Sequence, residues 1–277
     1  MLEARPLGRK LGLICGDRVV CETDAAHTEV NVLRLLPRRT SLSRSNVRGG
    51  SEPIVANISL MVVVIAARPA ADLFIADRYL CAASSATIAG AVVLNKSDLP
   101  DSEALGRELR PYAAAGYRVL ECSASSGVGL DQLRELLRAH TSVLVGQSGV
   151  GKSSLVAKLC PGIDIATGAL DREDTGRHTT TWSQQFDLPG GGAIIDSPGV
   201  RDFAPACDLL EPRSLGFPEV DRLSGGCRFA DCRHMQEPNC AVRMAVENSS
   251  LDARRYESYR RLRRLHEKLT ASARPHG

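Results

Sequence analysis

From residue 55 onward the chain alternates short apolar runs with amphipathic stretches. The apolar runs at 60–67, 91–94, 118–122, 142–145 and 193–195 read as strands, and 71–83, 102–115, 130–139 and 152–159 read as helices. Short apolar strands alternating with helices predict an α/β fold, a mostly parallel sheet covered on both faces. Residues 1–48 instead carry short alternating apolar pieces (11–14, 18–21 and 30–36) broken by Gly, Asp and Pro, the pattern of a small twisted β-module. Residues 40–53 are polar and rich in Gly, Ser and Arg, and read as a linker. Beyond about residue 206 the pattern becomes irregular and rich in Cys, Gly and Pro, closing in an arginine-rich helix over 251–269. The expected division is therefore 1–50, 55–205 and 206–277, with no internal repeat.

Composition adds little to this picture: 277 residues, 43% hydrophobic and 24% charged, are ordinary for a soluble protein. No apolar run reaches the ~18 residues of a membrane helix, and the amino terminus lacks the apolar stretch of a signal peptide. The expectation is a cytoplasmic protein with no membrane partner, and a monomer by default. Nine cysteines, an odd number scattered through the chain, argue against a disulfide framework. Charge is more informative. Residues 1–50 hold nine Lys/Arg against five Asp/Glu, and residues 251–277 hold eight against three, although the whole chain is only +3. Basic ends around an acidic centre suit terminal modules that touch a polyanion.

The chemistry begins at Gly146-Gln147-Ser148-Gly149-Val150-Gly151-Lys152-Ser153-Ser154, which fits the phosphate-loop pattern G-x-x-x-x-G-K-[ST] without a mismatch and sits between a predicted strand and a predicted helix. Glycines let backbone N–H groups turn toward phosphate oxygens, and the helix N-terminus adds partial positive charge. Lys152 is expected to reach the β- and γ-phosphates and the Ser153 hydroxyl to hold Mg²⁺. A second motif, Asn95-Lys96-Ser97-Asp98, ends the strand at 91–94. Asp98 can accept two hydrogen bonds from guanine, a donor pair that adenine lacks. Asn95 is expected to fix the loop, the Lys96 stem to cover the base, and the Ala124 N–H of Ser123-Ala124 to meet the guanine oxygen. A phosphate loop together with a guanine-reading motif points to GTP hydrolysis.

The motif order is unusual. Asn95–Asp98 and Ser123–Ala124 precede the phosphate loop, whereas Gly176-Arg-His-Thr-Thr-Thr181 and Asp196-Ser-Pro-Gly199 follow it. The cyclic order of a GTPase is kept and only the cut point has moved, an easy change where the termini of a compact domain lie close together. Asp196 is expected to hold Mg²⁺ through water, the Gly199 N–H to bond the γ-phosphate, and one of Thr179, Thr180 and Thr181, with Thr180 favoured, to supply the switch hydroxyl to Mg²⁺. Val200 occupies the place where many GTPases carry a water-orienting glutamine, so intrinsic hydrolysis should be slow. His178 is the local candidate to bond the water, alongside a plain loop histidine as the alternative.

Cys227, Cys232, His234 and Cys240 provide three thiolates and an imidazole, a set that matches tetrahedral Zn²⁺ with no open position, hence a structural site. Taken together, the permuted order, Gly176-Arg-His-Thr-Thr-Thr, Asp196-Ser-Pro-Gly-Val and the Cys/His set resemble the RsgA/YjeQ family, bacterial GTPases of late small-subunit maturation. The resemblance implies an N-terminal OB-like β-barrel, a circularly permuted GTPase domain and a C-terminal zinc-binding helical domain. It also implies GTP/GDP with Mg²⁺ and one Zn²⁺ as ligands, and the small ribosomal subunit and its RNA as partners that stimulate hydrolysis. Only about fifty residues precede the GTPase region, short for a five-stranded barrel. Two other readings compete: an RNA-binding zinc protein with nucleotide as a structural ligand, which intact Lys152, Ser153 and Asp196 oppose, and a small-molecule kinase, which Asn95–Asp98 opposes.

Overall fold

The computed structural model describes residues 4–6, 11–23, 30–45, 51–162, 183–197, 207 and 210–272. Its centre is a six-stranded mixed sheet made of β6 (Leu60–Ile65), β7 (Ala89–Leu94), β8 (Arg118–Glu121), β9 (Thr141–Val145), β10 (Gln184–Asp187) and β11 (Ala193–Asp196). The spatial order is β10-β11-β9-β6-β7-β8, with β10 antiparallel to β11 and the remaining pairs parallel.

Strand β6 explains why the sheet is covered on both sides. All six of its residues are buried, and the twofold period of a strand sends them in opposite directions. Met61, Val63 and Ile65 join one apolar cluster, while Leu60, Val62 and Val64 join the other. On the first face lie α1 (Leu73–Ser85), α2 (Ser102–Glu108) and α3 (Arg110–Ala115), with Leu80, Leu105, Leu109 and Tyr112 in its core. Against the second face pack α4 (Leu130–Leu137) and α5 (Lys152–Leu159), through Leu133, Leu137, Leu155 and Leu159. The chain thus enters its sheet in the middle, builds outward to β8, and returns through α4 to lay β9 on the free side of β6.

Three expectations about elements need correction. The single helix over 102–115 is two helices, because Pro111 lacks an N–H and sits in the first turn of the second one. The linker over 40–53 is in its described part a hairpin, β4 (Ser41–Ser45) against β5 (Ser51–Ala56). Its charged residues Arg44 and Glu52 face outward, and the pair Leu42 and Val55, opposite one another and buried, is enough to seat it. Strand β10 was not anticipated: a sheet edge needs only one apolar anchor, and Phe186 supplies it.

The amino-terminal residues form a small three-stranded sheet of β1 (Ala4–Pro6), β2 (Val19–Thr23) and β3 (Val30–Leu35), ordered β1-β3-β2. At the other end, α6 (Pro218–Ser224), α7 (Ala241–Glu247) and α8 (Ala253–Ser272) enclose a third apolar cluster that includes Cys81 of α1. Helix α8 binds α1 through charge as well. Arg255, 1% exposed, donates to Asp77 of α1 and to Glu219 of α6, and Arg254 donates to the same Asp77 at 3.0 Å. Among the described residues no helix is long and apolar enough to cross a membrane.

Candidate nucleotide-binding site and metal centre

The loops after β6, β7 and β9 emerge at the carboxyl edge of the parallel strands, where open α/β sheets bind ligands. The loop after β9 is the glycine-rich one. Gly146 has φ 140° and lies so close to β6 that a Cβ would stand 2.2 Å from the Val64 carbonyl oxygen. At Gly151, φ 92°, a Cβ would stand 2.3 Å from Asn95 Nδ2. Side chains are excluded at both points by backbone conformation and by space. Val150 is buried in the core beneath the loop, whereas Ser148 and Ser154 are exposed. Lys152, the first residue of α5, donates from Nζ to the Gly146 and Gln147 carbonyls at 2.7 and 2.8 Å, so its ammonium lies at the mouth of the loop. Lys152, Ser153 and Asp196 line one small cleft together. A hydroxyl and a carboxylate at that position are hard oxygen donors of the kind Mg²⁺ takes.

Asn95 holds two loops at once. It is 1% exposed. Its Nδ2 donates to the Val150 carbonyl at 2.8 Å, and its Oδ1 accepts the Ala124 N–H at 3.2 Å. In the structure, then, the N–H that sequence reasoning directed at a base oxygen goes to Asn95. Lys96, at φ 60°, lays its stem across the phosphate loop and donates from Nζ to the Gly149 carbonyl at 2.6 Å and the Arg68 carbonyl at 2.9 Å. The Ser97 N–H donates to the Cys122 carbonyl at 3.0 Å, anchoring the turn.

Asp98 is exposed at the tip of that turn. It accepts from Ser125 Oγ at 3.2 Å, and Ser125 Oγ lies 2.9 Å from Ser123 Oγ. Hydrogen bonding, that of Ser123 foremost, and the neighbouring Lys96 charge hold the Asp98 carboxyl below the usual carboxylate range.

Two partners were not foreseen in the sequence. Ser125 joins the base loop, and the Gln147 side chain accepts the Asp72 N–H at 3.1 Å, tying the phosphate loop to the start of α1. Neither has a motif signature, since each contact joins segments distant in sequence. His178, Thr179, Thr180, Thr181, Gly199 and Val200 lie outside the described residues.

The ligand atoms of Cys227, Cys232, His234 and Cys240 all lie within 4.8 Å of one another. His234 Nδ1 is 3.4 Å from both Cys227 Sγ and Cys240 Sγ, and those two sulfurs are 3.9 Å apart. A tetrahedron with the usual zinc–sulfur and zinc–nitrogen bond lengths has edges of about 3.5 and 3.8 Å. The three edges among Cys227, His234 and Cys240 thus lie near those values, and the four-donor set is compatible with zinc.

Burial pushes the Cys232 thiol up to about 12 and raises Cys240, so their thiolates need a cation. Burial also lowers His234, favouring the neutral ring that ligates metals. The cluster is held on α8 by Tyr256 and Tyr259, whose hydroxyls donate to the His234 and Arg233 carbonyls at 2.7 and 2.8 Å. Glu237 closes the loop by accepting the N–H groups of Arg233, Met235 and Gln236. Although burial opposes it, this bonding brings the Glu237 carboxyl down to about 2. Its stabilising effect is complete above the ordinary carboxylate range and disappears as pH falls toward that value.

A phosphate loop bound through one asparagine to a base-reading loop, on a sheet whose chain starts in the middle, defines a GTPase of circularly permuted order. The model of the RsgA GTPase family matches residues 35–205, and the chain belongs to that family. Over 254 residues it is 44% identical to the small ribosomal subunit biogenesis GTPase RsgA of Ectopseudomonas mendocina, covering 90% of this chain and 74% of that one. The RsgA of Azotobacter vinelandii is 44% identical over 255 residues, with the same coverage of 90% and 74%. Among solved structures, YjeQ from Thermotoga maritima is similar with a TM-score of 0.77 at 28% identity, covering 95% of this chain and 89% of that one. YloQ, described as a circularly permuted GTPase, has the same fold at a TM-score of 0.75 and 24% identity, covering 96% and 86%.

Proposed function

We propose that this GTPase is a late maturation factor of the small ribosomal subunit, working in the cytoplasm as a monomer, whose nucleotide state sets how long it stays on the subunit. One observation carries the reading: α1 touches the phosphate loop at Asp72 and the C-terminal helix at Asp77, so the nucleotide site and the C-terminal unit share one rigid element. The relatives named as small-subunit biogenesis GTPases span most of the chain and support it.

In this scheme Asp98 reads guanine, Lys96 covers the base, and Asn95, Ser97, Ser123 and Ala124 hold the reading loop in register. The backbone N–H groups of 146–154 cradle the phosphates, and Lys152 draws charge off the β- and γ-oxygens. Ser153, Thr180 and, through water, Asp196 would hold Mg²⁺, which would supply positive charge against the phosphate oxygens. Thr180 and the Gly199 N–H contact the γ-phosphate and are released when it leaves. His178 orients the attacking water in place of the glutamine that Val200 replaces. The N-terminal β-module, read as OB-like, and a zinc-stapled C-terminal domain approach ribosomal RNA. The stripe of Arg261, Arg264 and Lys268, all exposed on α8, offers phosphate-binding charge.

Purified protein is expected to hydrolyse GTP slowly alone, and about a hundredfold or more faster with small ribosomal subunits, an effect lost in His178→Ala. A rate indifferent to subunits would remove the ribosomal reading and leave the GTPase. Metal analysis is expected to find one zinc per chain. Chelation at neutral pH should lower the melting temperature by about 10 °C, since a structural site couples metal binding to folding. A zinc-free protein of unchanged melting temperature would refute the staple.

A further inference from the structure

We propose that Ser125 is a positioning residue for base selection, its hydroxyl fixing the Asp98 carboxylate so that guanine is preferred to hypoxanthine. The inference rests on the base-reading role proposed above for Asp98. Ser125 stands in a turn that is closed on itself. Its neighbour Ser123 is fully buried, at 0% exposure. The Ser123 N–H donates to the Val128 carbonyl at 2.9 Å, and the Ser123 carbonyl accepts the Gly127 N–H at 2.9 Å. Ser123 Oγ also accepts the Ser126 N–H at 3.1 Å. At Gly129, φ 73°, a Cβ would stand 2.1 Å from the Glu121 carbonyl oxygen, so the turn lies tight against the end of β8. The Ala124 N–H is held by Asn95. Ser125 itself is exposed, a hydroxyl on a fixed frame.

That hydroxyl donates to Asp98 Oδ2 at 3.2 Å, and its oxygen lies 2.9 Å from Ser123 Oγ. Hydrogen bonding from the two serines, that of Ser123 foremost, holds the carboxyl below the usual carboxylate range, so the group is an ionised acceptor. A hydroxyl that meets a second hydroxyl and ends on a charge makes a stronger bond than an isolated one. Asp98 is exposed, and the last torsion of an aspartate is broad, so the carboxylate plane needs a tether to stay in one orientation. Orientation matters differently for two purines. The ring N–H and exocyclic amine of guanine need both oxygens at once. Hypoxanthine has the ring N–H without the amine, and one oxygen satisfies it over a wider range of carboxylate angles. Each carboxylate oxygen carries two lone pairs, so Oδ2 can accept from Ser125 and from the base together. The tether fixes the plane without occupying the reading face, and its loss falls on guanine more than on hypoxanthine.

The test is equilibrium binding of GDP and of inosine diphosphate to the full chain and its variants. Ser125→Ala is expected to weaken GDP about five- to tenfold, the loss of one hydrogen bond to a charged group, and inosine diphosphate less than about twofold. The ratio of the two affinities is a readout that a general loosening of the fold would leave unchanged. Ser125→Thr keeps the hydroxyl, with solvent around its extra methyl, and should hold the wild-type ratio. In an Asp98→Ala background, Ser125→Ala should change GDP binding less than about twofold, because the bond is already gone. Equal losses for the two nucleotides, no loss for GDP, or an undiminished loss in the absence of the Asp98 carboxylate would overturn the positioning role. Asp98→Ala separates the two levels: if it spares GDP binding, the base reading itself falls; if it weakens GDP binding while Ser125→Ala does not, only the role of Ser125 falls.

Discussion

Replacing Asp98 with asparagine is expected to weaken GDP binding about a thousandfold, the scale on which sites built around a buried polar match reject a mismatched partner. In the proposed base reading the carboxylate presents two acceptors to the ring N–H and exocyclic amine of guanine. Asparagine turns one acceptor into a donor, so one bond is lost and two donors face each other. The hydroxyls of Ser123 and Ser125 and the Lys96 ammonium keep the group ionised. Because its pKa is held low, guanine binding should persist as pH falls past the ordinary carboxylate range and fail only below it. Xanthosine diphosphate carries a carbonyl where guanine has its amine, and the variant should bind it more tightly than GDP. Titration with both nucleotides decides the matter: a loss under about tenfold, or no gain for the xanthine base, would remove Asp98 from base reading.

Arg255→Ala is expected to cost about 3–5 kcal/mol in urea unfolding, the usual consequence of breaking a buried ion pair from one side. Asp77 is fully buried and Glu219 nearly so, and Arg255 lies between them. Phe217 and Tyr112 stand against its guanidinium at 4.6 and 4.8 Å from the ring centres. Removing the cation leaves two carboxylates in an apolar setting, with Arg254 reaching only one of them. Arg255→Lys keeps the charge but not the planar fork that spans both acids, and should lie between wild type and alanine. Converting Arg255 to Met together with Asp77 and Glu219 to Leu should recover most of the loss, since the penalty is that of buried acids left without their cation. An alanine variant within about 1 kcal/mol of wild type would show that the triad contributes nothing essential.

The two features differ in how far the sequence reveals them. Asp98 stands in a four-residue motif at the end of a buried strand, and strand and motif are both legible because each is local. The central strands were readable for the same reason: β6 is apolar at all six positions, and no other element type of that length suits it. Helix α5 matches its expected limits, 152–159, with a glycine on one side and a packed leucine at its end. The Cys227–Cys240 ligand set was legible because metal chemistry restricts residue types and spacing at once. What escaped depends on partners far along the chain. Arg255 and Asp77 are 178 residues apart, and in the sequence Arg255 is one arginine among many in a basic helix. The hairpin of β4 and β5 looked like a linker because one buried leucine–valine pair carries it. Asn95 was recognisable as a loop residue, but its grip on Val150 and Ala124 follows from tertiary placement alone.

The position of Arg255 also bears on how this chain is made. Within the central sheet, synthesis delivers β6, β7 and β8 with their helices first, a contiguous block that can begin to pack as it leaves the ribosome. Its inner edge stays open until β9 arrives, and the phosphate loop follows only then. Asp77 is already in that first block, yet its counter-charge is written near the end of the chain. A nascent protein cut short before residue 255 therefore carries a carboxylate bound for a burial it cannot complete. The last described helix thus closes over an acid that α1 carries from an early point in the chain.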